Sequence, residues 1–193
     1  MNKPPVADEE LIALVAQGDR NAFESLYDRH AARALGLALR ISGDRTTAED
    51  IVQEAYWRVW KRAGTFTRER GGFTTWLLTI VHHLAIDRLR TVRGAPALVE
   101  IDSDADDPID LQDESQDVPG IALANLRGDV MRAALARLPD AQRAVIEMAY
   151  FEGLTRQEIA ERFKEPVGTI HTRARLGLMK LKELLVDLQG NDL

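Results

Sequence analysis

Residues 155–185, TRQEIAERFKEPVGTIHTRARLGLMKLKELL, decide the reading of this chain. Thr155 followed by Glu158 forms a capping box, which starts a helix. Ile159, Ala160 and Phe163 give that short helix an apolar side. Pro166 stops its continuation and suits the start of the next helix. The spacing predicts a helix-turn-helix. On the second helix, at about 100° per residue, Ile170, Ala174, Leu178, Leu181 and Leu185 share one stripe that should pack inward. Thr172 points away from it. His171 and Arg175 lie on one shoulder, and Arg173 and Lys180 on the other. Thr, His and Arg near a helix N-terminus suit a major-groove reader, although an ordinary amphipathic helix with a solvated basic face has the same pattern.

Working outward, charge separates the chain into parts. The 193 residues carry a net charge of −6. Between Gly94 and Ala124 lie nine carboxylates (Glu100, Asp102, Asp104, Asp106, Asp107, Asp110, Asp113, Glu114, Asp117) and no Lys or Arg, so the remainder is +3. Thr155–Lys182 alone has seven basic and three acidic residues. Acidity is confined to one Pro-containing segment with little apolar periodicity, which reads as a flexible tether.

Upstream of the tether the pattern is helical throughout. Helices are predicted at Asp8–Gln17, Asn21–Ile41, Asp44–Arg62 and Phe73–Arg93, with Gly18 and Gly43 as breaks and Thr47/Asp50 as a capping box for the third. Downstream, Gly120–Arg137 and a helix from Pro139 to Phe151, ended by Gly153, precede the helix-turn-helix. The fold class is therefore all-α: two small helical domains joined by a flexible acidic linker, the second containing the helix-turn-helix. The boundaries are 1–93, 94–120 and 121–193.

The third helix holds the least expected feature. Ala48, Ile51, Val52, Ala55 and Val59 form its core stripe, while Asp50, Gln53, Glu54, Trp57 and Lys61 face the other way. A Trp in a solvated polar stripe is a binding anchor unless it packs on a neighbouring helix of its own domain. On the fourth helix Phe73, Trp76, Leu77, Ile80 and Leu84 form the core stripe. Thr75, Thr79, His82, His83, Arg88, Arg90 and Arg93 lie elsewhere, and with Arg68 and Arg70 of the preceding loop make a second basic surface suited to a nucleic-acid backbone.

Other functions are excluded by what is missing. There is no Cys, so no disulfide, thiolate zinc site or Cys nucleophile. His82 and His83 are adjacent and point to different sides of a helix, a poor metal pair. No phosphate loop, G-x-S-x-G or H-E-x-x-H occurs. We therefore expect no catalytic residues, no metal and no cofactor. MNKPPVADEE lacks an apolar core for a signal peptide, and no apolar run approaches a membrane span. A cytoplasmic protein with no membrane contact of its own is expected.

Taken together, the chain resembles the extracytoplasmic-function sigma factors of bacterial RNA polymerase. TTAEDIVQEAYWRVW (46–60) is similar to the family's polymerase-binding segment, FTTWLLTIVHHLAIDRLR (73–90) to its promoter-melting and minus-ten helix, and LPDAQRAVIEMAYFEGLTRQEIAERFKEPVGTIHTRAR (138–175) to its minus-thirty-five domain. The likeness covers about residues 8–93 and 121–185. It implies that Asp50, Gln53, Glu54 and Trp57 dock on the clamp helices of core RNA polymerase. It implies a minus-ten contact surface of Lys61, Arg62, Arg68, Arg70, His82, His83, Arg88 and Arg90, with the loop from Lys61 to Gly72 capturing a flipped base and the following helix helping to separate strands. Arg156, Thr169, His171, Thr172, Arg173 and Arg175 become contacts to the minus-thirty-five element, Arg156 and Thr169 to phosphates. Promoter DNA, core polymerase and an anti-sigma factor are the implied partners, and the acidic tether would thread toward the active-site and RNA-exit channels.

Two positions depart from the family pattern. Lys164 stands where the turn usually has Gly, so the turn geometry or its φ is open. Leu176 stands where the family often has Arg, and by angle lies near Thr172, positioned to touch a thymine methyl or a partner. The chain ends soon after the last helix, so no further sensor domain is expected. The alternatives are a stand-alone helix-turn-helix regulator, which needs a dimerisation surface and a palindromic site, and a decoy that titrates an anti-sigma factor. The basic face at His171, Arg173 and Arg175 argues against the decoy.

Overall fold

The computed structural model describes residues 6–94 and 128–190, the side chains of 128–129 and 188–190 excepted. The acidic tether and the predicted start of a helix at Gly120 lie outside the described residues. The chain divides into two units, Met1–Glu100 and Ile101–Leu193. Every regular element among the described residues is helical.

The first unit contains α1 (Asp8–Val15), α2 (Arg20–Ser42), α3 (Arg45–Arg62), two single 3-10 turns at Ala63–Thr65 and Arg68–Arg70, and α4 (Phe73–Val92). Asp19 opens α2 by accepting the backbone N–H groups of Asn21 at 2.8 Å and Ala22 at 3.1 Å. Gly43 closes it in the left-handed region at φ 71°. The expected Thr47/Asp50 capping box is corrected. Asp44, in extended backbone, is the N-cap and accepts the Thr47 N–H at 2.7 Å, so Thr47 is already a donor inside the first turn. That hydrogen bond holds the Asp44 carboxyl below its ordinary range.

Helices α2, α3 and α4 pack mutually, and α1 lies against α2. The buried side of α2 is built on Ala22, Leu26, Ala34, Ala38 and Ile41, whereas Tyr27 and Leu39 are exposed. Small side chains let α3 approach, and its own stripe of Ala48, Ile51, Val52, Ala55 and Val59 is buried as expected. Helix α4 is covered on more than one side. Leu78, Val81, Ala85 and Ile86 are buried with Phe73 and Leu77, while Trp76, Ile80 and Leu84 are only half-buried. The true core face is thus wider than the predicted stripe and rotated from it. A clasp holds α1 in place: Asp8 Oδ1 accepts Arg29 Nη1 at 2.9 Å, and its Oδ2 lies 2.7 Å from His30 Nε2. The His30 ring in turn meets Phe73 at the start of α4, 5.2 Å between centroids.

The second unit contains α5 (Gly128–Ala136), α6 (Asp140–Phe151), α7 (Arg156–Phe163) and α8 (Val167–Gly190). One core cluster joins Met131, Ala134 and Leu135 of α5 to Leu138, Ile146, Leu181 and Leu185. A second joins Val145, Ile159, Ala160 and Ile170. Helix α8 belongs to both. It passes close to α6 at Gly177, where a Cβ would stand 2.8 Å from Ile146 Cδ1 and 3.1 Å from Gln142 Cβ.

The turn between α7 and α8 answers the question posed by Lys164. Thr155 and Glu158 form the expected reciprocal cap at the other end of α7. At the turn, Lys164 takes φ 55° and ψ 42°, its N–H donates to the Glu161 carbonyl, and the Glu165 N–H reaches back to Ala160 O at 3.0 Å. This is a Schellman closure with Lys in the position glycine favours. The turn geometry is retained and the side chain bears the strain, roughly 1–2 kcal/mol for an L-residue. Lys164→Gly is therefore expected to stabilise the chain by about 0.5–1 kcal/mol, net of the entropy that Gly adds to the unfolded state. Urea unfolding followed by circular dichroism checks this, and a lower midpoint contradicts it.

Candidate functional site

Three surfaces follow from these elements. The first is the outward face of α3. Packing the alanine-rich stripe inward leaves Asp50, Gln53, Glu54, Trp57 and Lys61 exposed. Trp57 is 55% exposed, so it does not pack on a neighbouring helix of its unit. The Lys61 ammonium sits 4.6 Å from its ring centroid, a cation–π contact across one helical turn. Lys61 therefore lies on the Trp57 face, although the resemblance grouped it with the loop arginines. Glu54 pairs with Arg58 at 3.0 Å, while Asp50 and Gln53 flank the Trp. The other α3 aromatics are anchored inward: Tyr56 is buried, Trp60 half-buried, and both meet Phe23 edge-on. Burial raises the Tyr56 phenol pKa far above its usual value.

The second surface is the loop between α3 and α4 together with α4. The second 3-10 turn carries Arg68 and Arg70, both exposed, and Arg62 at the end of α3 is half-buried. Gly71, at φ 130°, makes the bend into α4. Phe66 anchors the loop on Trp76 (5.5 Å) and Phe73 (6.5 Å), a support that the sequence reading missed. On α4, His82 is half-buried and Arg88 exposed. His83 has an exposed edge, yet crowding by its neighbours lowers its pKa; Asp87 opposes the shift and Arg58 adds to it. Burial therefore disfavours the charged imidazole of His83. Arg90 is corrected: it is only 4% exposed and does not belong to an outer basic surface. Helix α4 is enclosed by α1, α2 and α3, so a flank that a one-stripe helix would expose is here interior.

The third surface is the outer side of the helix-turn-helix. Thr172, Arg175 and Leu176 are exposed side by side on α8, Thr169 and His171 are half-buried near its start, and Arg156 is half-buried at the start of α7. The Thr172 hydroxyl donates to Gly168 O at 2.9 Å. Arg175 Nη1 lies 4.0 Å from Met179 Sδ. Arg173 differs from the rest. Its Nη2 donates to Glu165 Oε1 at 3.1 Å and its Nη1 stands 2.8 Å from Oε2, with both side chains mostly covered. In the free chain Arg173 ties α8 to the turn. Among the described residues no cluster of His, Asp and Glu could hold a metal ion, and no helix is long and apolar enough to cross a membrane.

Among the described residues, an exposed aromatic-acidic face in one unit and a basic helix-turn-helix in the other are features suited to docking a protein and to reading nucleic acid. Residues 26–94 match the family model of sigma-70 region 2, and residues 134–183 that of sigma-70, region 4. The chain is 33% identical to the ECF RNA polymerase sigma factor SigK of Mycolicibacterium vanbaalenii, covering 94% of this chain and 92% of the relative. It is 34% identical to SigK of Mycobacterium ulcerans, covering 96% and 98%. It is also similar to the solved structure of Rhodobacter sphaeroides SigE in complex with the anti-sigma ChrR, at 27% identity, covering 94% of this chain and 99% of that one, with a TM-score of 0.48. The chain belongs to the ECF sigma factors of the sigma-70 family, which are transcription initiation factors of RNA polymerase.

The Arg173–Glu165 pair yields a stability prediction. A double-mutant cycle with Arg173→Ala and Glu165→Ala should show a coupling of about 1 kcal/mol in unfolding free energy, given the two-point geometry and partial cover. Strict additivity of the two changes would contradict the pairing.

Proposed function

We infer that the chain is a dissociable promoter-specificity subunit in which three separate surfaces act in turn. The region 1–93 binds core polymerase and engages the minus-ten element. The region 121–193 reads the minus-thirty-five element, with 94–120 as the acidic tether between them. The Trp57 face, with Asp50, Gln53 and Glu54, docks on the polymerase clamp. The Arg68/Arg70 loop, set on the Phe66–Trp76 support, takes the unstacked base, and Arg88 adds charge beside it. Thr172 and Arg175 read base edges while Arg156, Thr169 and His171 hold the backbone. The chain works in the cytoplasm, has no catalytic chemistry of its own and uses no cofactor. An anti-sigma factor that covers the Trp57 face would hold it inactive.

The observation that supports this reading best is the exposure of Trp57. A Trp left in water on a helix whose other side is fully buried gains its stabilisation only in a complex. A stand-alone operator-binding regulator would use such a face to dimerise, and the matches to sigma-70 regions 2 and 4 favour the polymerase instead.

Two substitutions test the division of labour. Trp57→Ala should weaken core-polymerase binding by tenfold or more, as expected for a central aromatic anchor at about 2 kcal/mol. An unchanged affinity in a fluorescence titration removes Trp57 from the docking surface. Arg175→Ala should reduce use of the minus-thirty-five element by about tenfold, from a good base contact of roughly 1–3 kcal/mol, while leaving core binding intact. Loss of core binding in that variant counts against the assignment.

A further inference from the structure

We propose that Leu176 is a specificity-determining residue that reads thymine methyl groups in the minus-thirty-five element. The proposal rests on the reading of α8 as the helix that enters the major groove. Leu176 lies one helical turn beyond Thr172 on the same face and next to Arg175, and it is 42% exposed. Residues four apart on a helix stand about 5–6 Å apart at Cβ, so Thr172 and Leu176 form one contiguous reading patch.

The polar content of that patch is low. Thr172 directs its hydroxyl proton to the Gly168 carbonyl, which leaves its methyl and a lone pair for a partner. Leu176 has only carbon to offer. Met179, 52% exposed, continues the apolar strip by one turn and lies within 4.0 Å of the Arg175 guanidinium. In the major groove the apolar feature that distinguishes a base pair is the thymine 5-methyl, and it is recognised by side chains of this kind.

Charge fixes the occupant as nucleic acid. Arg175 is exposed beside the strip, with His171 near the start of the same helix, and Arg156 opens the preceding helix α7; these suit phosphates flanking a groove. Glu183 lies two turns beyond Leu176 on the same face and is exposed. A carboxylate there is repelled by DNA, so the reading patch ends at Met179. Arg173 is held by Glu165 and does not supply a base-reading cation on this face in the free chain.

The test uses the full chain with core polymerase. Selection from a promoter library gives the minus-thirty-five element, and each of its thymidines is then replaced in turn by deoxyuridine, which removes only the methyl. At one or more positions the wild-type holoenzyme should lose affinity by about fourfold, the worth of one buried methyl-sized group. Leu176→Ala should bind the thymidine and deoxyuridine versions of that position equally. Equal binding of both versions by the wild type overturns the proposal, as does a selected element with no thymine on either strand at the positions facing α8. If Leu176→Ala instead weakens binding to core polymerase and retains the methyl discrimination, the residue faces a protein and the proposal falls. Arg175→Ala serves as the control for the underlying reading. If it too keeps full minus-thirty-five selectivity, α8 is not the reading helix. If it loses selectivity while the deoxyuridine series is flat, only the role of Leu176 is rejected.

Discussion

A helix can bury one side well, and in α3 that side is made of Ala48, Ile51, Val52, Ala55 and Val59. The rest of the first unit depends on this choice. Small residues on α3 and on α2 bring the two backbones together and leave room for α4 across them, while Tyr56 and Trp60 close the edge through Phe23. The same choice forces Trp57 outward between Asp50, Gln53 and Glu54. The proposed docking surface is thus the geometric counterpart of the core, and a change that rotated α3 would disturb both.

The second unit is organised by a parallel constraint. Helix α8 must serve two core clusters along one side while keeping an exposed face, the proposed reading face, on the other. Gly177 permits the close pass over Ile146 and Gln142, and the Arg173–Glu165 pair sets the start of the helix against the turn. The outer face can then carry Thr172, Arg175 and Leu176 without any structural duty. The cations are concentrated where phosphate is expected, although the whole chain is acidic.

Much of this was legible in the residues. Helix limits followed from Gly43, Pro139, Gly153 and the Thr155/Glu158 cap, each of which acts locally. The α3 stripe and the exposure of Trp57 followed from periodicity because α3 has one buried side. Periodicity failed on α4, where enclosure by three helices buries Arg90, Thr75 and a face rotated from the expected stripe, leaving Trp76, Ile80 and Leu84 half-buried. On α2 the buried side is built largely on alanines, with Leu26 and Ile41, and Tyr27 and Leu39 are left outside. The Asp8–Arg29–His30 clasp joins residues more than twenty positions apart, and no local pattern announces it. Lys164 looked like a departure in geometry, but backbone hydrogen bonds on both sides of the turn hold a non-glycine residue in the left-handed region.

The central claim is that this chain confers promoter selectivity on a polymerase that lacks it. Its most direct measurement is run-off transcription from duplex promoters by purified core polymerase, with and without the chain, on templates whose two promoter elements are separately scrambled. Specific transcripts are expected only when the chain is present, and they are lost when either element is scrambled. Equal transcription with and without the chain, or indifference to both elements, would contradict it.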